Sequence, residues 1–249
     1  VTAVGGWAEV ERRAQAIVAR AQAEDYFDSK PQAALASAAA RGDVEAMKEA
    51  LAQGADVNAV GNEGITPLFW AMIKQNVEGY TFLLEQGADP NLNTPPPRGQ
   101  GYRSPIELAA AMPQTNYLEA ALEHGGDPNK TYSAWDLPII YQAIMHGQLD
   151  NVQLLIQNGA QINYQDRSGG TPIIEAVTAK QFEIALYLLR AGADPTLEVS
   201  RSGSSAVDFV KRHGNRGTDR RTSDLAAFDE FVRELKDRDF LEEDPPRFD

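Results

Sequence analysis

Three features of this chain predict an all-α solenoid of about five to six helix-turn-helix units with helical caps at both ends. The first is a glycine that recurs at 54, 87, 125, 159 and 192, in steps of 33, 38, 34 and 33 residues. The second is the segment each glycine opens: Gly54-Ala55-Asp56-Val57-Asn58, Gly87-Ala88-Asp89-Pro90-Asn91, Gly125-Gly126-Asp127-Pro128-Asn129, Gly159-Ala160-Gln161-Ile162-Asn163 and Gly192-Ala193-Asp194-Pro195. The third is a recurring Thr/Ser-Pro word upstream, as Thr66-Pro67-Leu68, Ser104-Pro105-Ile106 and Thr171-Pro172-Ile173.

Each word has a physical reason. The Thr or Ser hydroxyl caps a free N–H at a helix start, and proline fills the first helical position, where no N–H is missed. Twenty-one residues after Thr66 and Thr171 comes a glycine, which can take the left-handed conformation that closes a helix. Asp and Asn then favour the turn into the next unit. Two short helices fit between these marks. In the fifth unit the inner helix is expected from Thr171 to about Ala179 and the outer one over Phe182–Arg190. Phe182, Ala185, Leu188 and Leu189 give the outer helix an apolar stripe, as Leu149, Val152, Leu155 and Ile156 do in the fourth unit. No helix pair can bury such a stripe alone, so neighbouring units must stack.

Taken in order, residues 1–32 form a helical cap, in which Trp7, Val10, Ala14, Ile17, Val18 and Ala21 line one face. That face either covers the first repeat or binds a partner. The repeats occupy 33–210, as units at about 33–60, 61–93, 94–131, 132–164 and 165–196 and a degenerate sixth at 197–210. The first lacks the Thr-Pro word but keeps Leu35, Ala38, Ala39 and Gly42; the fourth has Pro138-Ile139-Ile140 in its place. Residues 211–249 are expected to hold a loop through Arg212–Gly217, a capping helix carrying Phe228, Phe231, Val232 and Leu235, and a frayed acidic tail over 242–246.

The formal net charge of −13 argues against a nucleic-acid partner, because a phosphate backbone demands a basic face. No apolar run approaches the roughly 18 to 20 residues of a membrane span. The absence of cysteine excludes disulfides, thiolate metal sites and cysteine nucleophiles. His124, His146 and His213 have no ligand-like spacing, and no phosphate-binding loop, nucleophile elbow or H-E-x-x-H motif occurs. The Arg216–Arg221 stretch is interrupted by Asp219 and reads as a solvated loop. Neither a catalytic site nor a metal or cofactor is expected.

The two words at a period near 33 resemble the ankyrin-repeat family. That resemblance implies a protein-binding scaffold, monomeric when free, whose turn fingers and inner helices form a concave strip. On this register the partner-binding candidates are Trp70 and Lys74 in the second unit and Tyr102 and Arg103 in the third. Tyr132, Trp135 and Gln142 follow in the fourth unit, and Arg167 and Glu175 in the fifth. Trp70 fits packing against the next inner helix as well as contact with a partner. Phe69, Phe82 and Tyr141 are expected in the core. The 38-residue step lengthens one finger, Asn93–Gly101, where prolines stiffen the chain and Arg98 offers a further contact.

The succession 54–71, 125–129 and 162–172 also looks like bacterial ankyrin proteins that serve as periplasmic immunity proteins beside type VI secretion lipase or phospholipase toxins. This implies inhibition by occlusion, a toxin partner with a complementary and basic surface, and a periplasmic location. A start at Val1 rather than Met is compatible with a removed signal peptide or with a trimmed chain. A cytoplasmic scaffold, or a regulator that stabilises its partner enzyme, is the alternative.

Overall fold

The computed structural model describes residues 21–94, 104–215 and 224–247. These fall into two compact units. The first runs to Ile106 and takes in Glu119–Gly126; the second comprises Glu107–Leu118 and the chain from Asp127 onward.

The first unit opens with a 3-10 turn, Ala23–Asp25, followed by helices α1 (Lys30–Arg41) and α2 (Val44–Ala52). Where the Thr-Pro word is missing, Ser29 accepts a hydrogen bond from the Gln32 N–H and Pro31 sits in the first turn, so the same chemistry is shifted upstream. Helices α3 (Pro67–Ile73) and α4 (Val77–Glu85) start on Thr66, which accepts from the Phe69 N–H, and on Asn76, which accepts from the Gly79 N–H. Leu35, Ala38, Met47, Leu68, Met72, Tyr80 and Leu83 form the core. Gly79 brings α4 against α1: a Cβ there would lie 2.0 Å from the Ala39 carbonyl oxygen.

The division between the units passes within α5 (Pro105–Ala111) and α6 (Thr115–Glu123). Ser104 stands where Thr66 and Thr171 stand, but its buried hydroxyl has no hydrogen-bond partner among the described residues. The predicted cap is not formed there.

In the second unit the fourth repeat departs from a purely helical reading. A two-stranded antiparallel hairpin, β1 (Thr131–Tyr132) with β2 (Leu137–Pro138), leads into α7 (Ile140–Met145). Ile139 makes no side-chain cap; its N–H goes to the Lys130 carbonyl, and the hairpin sets the helix start instead. Val152 and Leu155 of α8 (Leu149–Gln157) are buried as expected, whereas Leu149 and Ile156 are half-buried. Asn151 takes the buried place, with Nδ2 donating to the carbonyls of Ala109, Ala110 and Met112. Helices α9 (Pro172–Thr178) and α10 (Phe182–Arg190) follow, and all four stripe residues of α10 are buried.

Two expectations at the C-terminus are corrected. Helix α11 (Ala206–His213) starts on a capping box between Ser205 and Asp208, so Arg212 and His213 belong to its last turn and not to a loop. Residues 216–223 lie outside the described residues. Helix α12 (Asp224–Asp237) packs on α10, with the Phe228 ring edge-on to Phe182 at 4.8 Å between centroids. The acidic tail is docked and not frayed. Leu241 and Pro245, on either side of its acids, are buried, and Lys236–Asp244 and Arg247–Asp229 pair at 2.7 Å.

The recurring turns are joined by their asparagines. In the four turns that carry an aspartate, it accepts the N–H two residues on, as Asp56 does from Asn58 and Asp127 from Asn129. The Asn58 amide then reaches the next turn, accepting from the Asp89 N–H (2.8 Å) and donating to the Gly87 carbonyl (3.0 Å). Asn129 does the same with Gln161 and Gly159. At the first turn, where no asparagine precedes, the Gln32 side chain makes both bonds to the backbone of Asp56.

Asn129→Ala removes two partly solvated hydrogen bonds and is expected to cost about 1 to 2 kcal/mol in urea unfolding. Gly87→Ala meets no atom within 4 Å but sits at φ +89, and should cost roughly 1 kcal/mol. Gly79→Ala should cost more than either, since α4 must move off α1. Equal losses for Gly79→Ala and Gly87→Ala would contradict this packing.

Candidate functional site

The first unit holds Trp70 and Lys74, of which Trp70 is buried and Lys74 half-buried. Trp70 is 3% exposed, with its ring 5.2 Å from Tyr26. The Lys74 ammonium lies 4.6 Å over the Trp70 indole and donates to the Ala21 carbonyl at 2.8 Å; burial lowers its pKa. The covering segment is the chain's own residues 21–27. Phe27 is buried, and Tyr26 accepts from the Asn62 N–H at 2.7 Å. Gly61 permits that approach, because a Cβ would lie 2.4 Å from the Tyr26 carbonyl oxygen. Trp7, Val10, Ala14, Ile17 and Val18 of the expected cap lie outside the described residues, as do Arg98, Tyr102 and Arg103.

The second unit holds the remaining candidates, and they divide by burial. Gln142 is buried and donates from Nε2 to Glu107 Oε1 at 3.2 Å, so it joins two inner helices instead of facing a partner. Tyr132 is half-buried on β1. Asp166 organises the loop that follows: its carboxylate accepts from the Ser168 N–H and hydroxyl, the Gly170 N–H and the Tyr141 hydroxyl. Burial first, and then the Asp166 charge, push the Tyr141 hydroxyl pKa far up. The same two causes raise the pKa of half-buried Glu175.

Trp135 is 61% exposed at the tip of the hairpin. Its carbonyl accepts from the Arg167 N–H at 3.2 Å, and Arg167 Nε donates to Asp136 at 2.6 Å. The next finger is attached in turn, the Ser200 N–H donating to the Ser168 carbonyl at 2.7 Å. Three successive fingers are thus tied by backbone bonds. Between them Trp135, Arg167, Ser168, Val199, Ser200 and Arg201 line a groove of about 570 Å³. Val199, Ser200 and Arg201 are absent from the sequence-level candidates because the sixth unit reads as degenerate. A signal was there: Arg167-Ser168-Gly169 recurs 34 residues later as Arg201-Ser202-Gly203.

His124 and His146 each place Nδ1 against the carbonyl four residues back in their own helix, at 2.9 and 2.8 Å. Among the described residues no group of His, Asp and Glu side chains could hold a metal ion, and no helix is long and apolar enough to cross a membrane.

Trp70→Ala should cost about 3 to 5 kcal/mol in chemical unfolding, as for other buried aromatics, whereas Trp135→Ala should stay within about 0.5 kcal/mol of the parent chain. For Glu175, a folded-state pKa above the ordinary value means that its stabilising contribution is complete below the ordinary glutamate pKa. That contribution is lost as pH rises through the raised value. Glu175→Gln is therefore expected to flatten the stability profile over that window and to raise the unfolding midpoint at pH 7. A lowered midpoint at pH 7 would contradict the assignment.

Family models for ankyrin repeats match residues 14–94 (three copies) and 140–189 (many copies), together just over half of the chain. The chain is 28% identical to Protein PhlB of Serratia liquefaciens, over 75% of this chain and 79% of that protein. It is 26% identical to the putative ankyrin repeat protein YahD of Escherichia coli, over 71% and 88%. An ankyrin repeat-containing protein of Caenorhabditis elegans, nipk-1, is 27% identical over 69% of this chain, which spans only 26% of that protein. Among solved structures, the ankyrin repeat protein EF0377 aligns with a TM-score of 0.62 at 28% identity, covering 82% of this chain and 97% of its own. An ankyrin repeat domain of Acinetobacter baumannii, ABAYE2397, aligns with a TM-score of 0.62 at 25% identity, over 81% and 95%. Such repeats are protein-binding modules, and this chain belongs to the ankyrin-repeat family.

Proposed function

We propose that the chain is a non-catalytic immunity protein that binds a secreted phospholipase or lipase toxin and inhibits it by occlusion, in the periplasm. The observation that carries the binding half is Trp135, a large aromatic held 61% exposed by a hairpin whose Trp135 carbonyl and Asp136 side chain are engaged by the next finger. Exposed Trp beside Arg is the composition of binding hot spots, and a preformed finger loses little entropy on association. The toxin half is supported by the resemblance of residues 54–71, 125–129 and 162–172 to immunity proteins paired with such toxins. Occlusion needs no chemistry from this chain: covering the toxin's catalytic mouth or its lipid-contacting surface suffices.

Titrating the chain into its paired phospholipase in a lipid-hydrolysis assay should abolish activity near one-to-one. Trp135→Ala should raise the inhibitory concentration about tenfold or more, the loss of one hot-spot side chain. Full hydrolysis in the presence of excess chain would overturn the inhibitory reading. A rise in activity would favour a partner-stabilising regulator.

A further inference from the structure

The charged side chains that line the groove between the three fingers are of the sign opposite to the net charge of the chain. The chain carries −13, yet both charged side chains that line the groove are arginines, Arg167 and Arg201. Each opens an Arg-Ser-Gly word, 34 residues apart, and the two are in different states. Arg167 has Nε on Asp136 at 2.6 Å, which leaves its terminal nitrogens for other acceptors. The stretch of the next finger that corresponds to Asp136 is Gly169-Gly170, which offers Arg201 no carboxylate. Arg201 is exposed, and among the described residues no acid pairs with it; Glu198, in the same turn, lies on the side of Gly203. The glycine has a reason of its own: a Cβ at Gly169 would lie 2.7 Å from the Ser200 nitrogen and 2.8 Å from the Glu198 carbonyl oxygen. Close docking of the two fingers requires glycine there, and that requirement leaves the arginine without a counter-ion.

We infer that this groove anchors an acidic segment of the partner protein, seating an apolar side chain against Trp135 and a carboxylate on Arg201 and Arg167. A guanidinium fork suits a carboxylate, the indole supplies apolar area, and the backbone bonds 167 to 135 and 200 to 168 pre-form the site. A basic toxin surface was the expectation from net charge alone. Net charge steers the approach at long range, whereas contact chemistry is decided by the groups at the contact. The inference rests on the reading of the chain as a partner-binding protein and names the partner's contact chemistry.

The test uses the full-length, isotope-labelled chain and two blocked pentapeptides, one alternating glutamate with leucine and one with lysine in place of glutamate. Under NMR titration the acidic peptide should shift the Trp135 indole and Arg201 side-chain signals saturably. Arg201→Ala should weaken that binding about tenfold, the loss of a charge-assisted contact. Equal binding of the lysine peptide, shifts confined to other regions, no saturable shift, or an unchanged affinity in Arg201→Ala would each overturn the inference. A chain that fails here and still inhibits the phospholipase keeps its function and loses only this contact. A chain that binds the acidic peptide and leaves the phospholipase active keeps the groove and loses the toxin reading.

Discussion

Much of the rest of the structure depends on one interaction, the side-chain amide of an asparagine in one turn bonded to the backbone of the next. Asn58 and Asn129 each accept from one N–H and donate to one carbonyl of the following turn. A helix pair of this size cannot bury its own apolar stripe, so its place must be set by a neighbour. The asparagine sets that place at the turn, where the backbone has left helix geometry and its polar groups need partners. Gln32 holds the first turn in a related way: its longer amide also accepts the Asp56 N–H, but donates to the Asp56 carbonyl and not to the turn glycine.

Once successive turns are held in this way, the fingers beyond them can be specialised without cost to the core. In the second unit the Trp135 finger, the Arg167 finger and the Arg201 finger are tied edge to edge by single backbone bonds. Pro138 is buried and Tyr132, Leu137 and Val199 are half-buried at the base of these fingers, while Trp135 and Arg201 stay exposed. The Asp166 carboxylate sits below them and satisfies four donors, so the loop carrying Arg167 is held by a buried hub instead of by the exposed side chains.

The two tryptophans of the described residues show where sequence reasoning stops. Both precede or follow a recognisable turn, and both occupy positions that the repeat register offers to a partner. Trp70 is covered by Tyr26, a residue 44 positions away and upstream of the first turn word, and the recurring words do not encode that contact. Trp135 is left exposed by a hairpin that the missing Thr-Pro word of the fourth unit hints at but does not describe. Gln142 is a similar case: its burial depends on meeting Glu107, 35 residues earlier.

By itself the sequence determined the repeat period, the helix pairs, the caps on Thr66 and Thr171 and the core stripe of the fifth unit. These are local matters of backbone conformation, hydroxyl capping and apolar spacing, and all are written within a few residues. Tertiary structure alone decided which candidate side chains remain in solvent and that the acidic tail docks through Leu241 and Pro245. It also decided that Arg201, in a unit that reads as degenerate, lines a groove with Trp135. Those outcomes turn on which distant segment lies over a given residue, a property of three-dimensional packing that no local spacing carries.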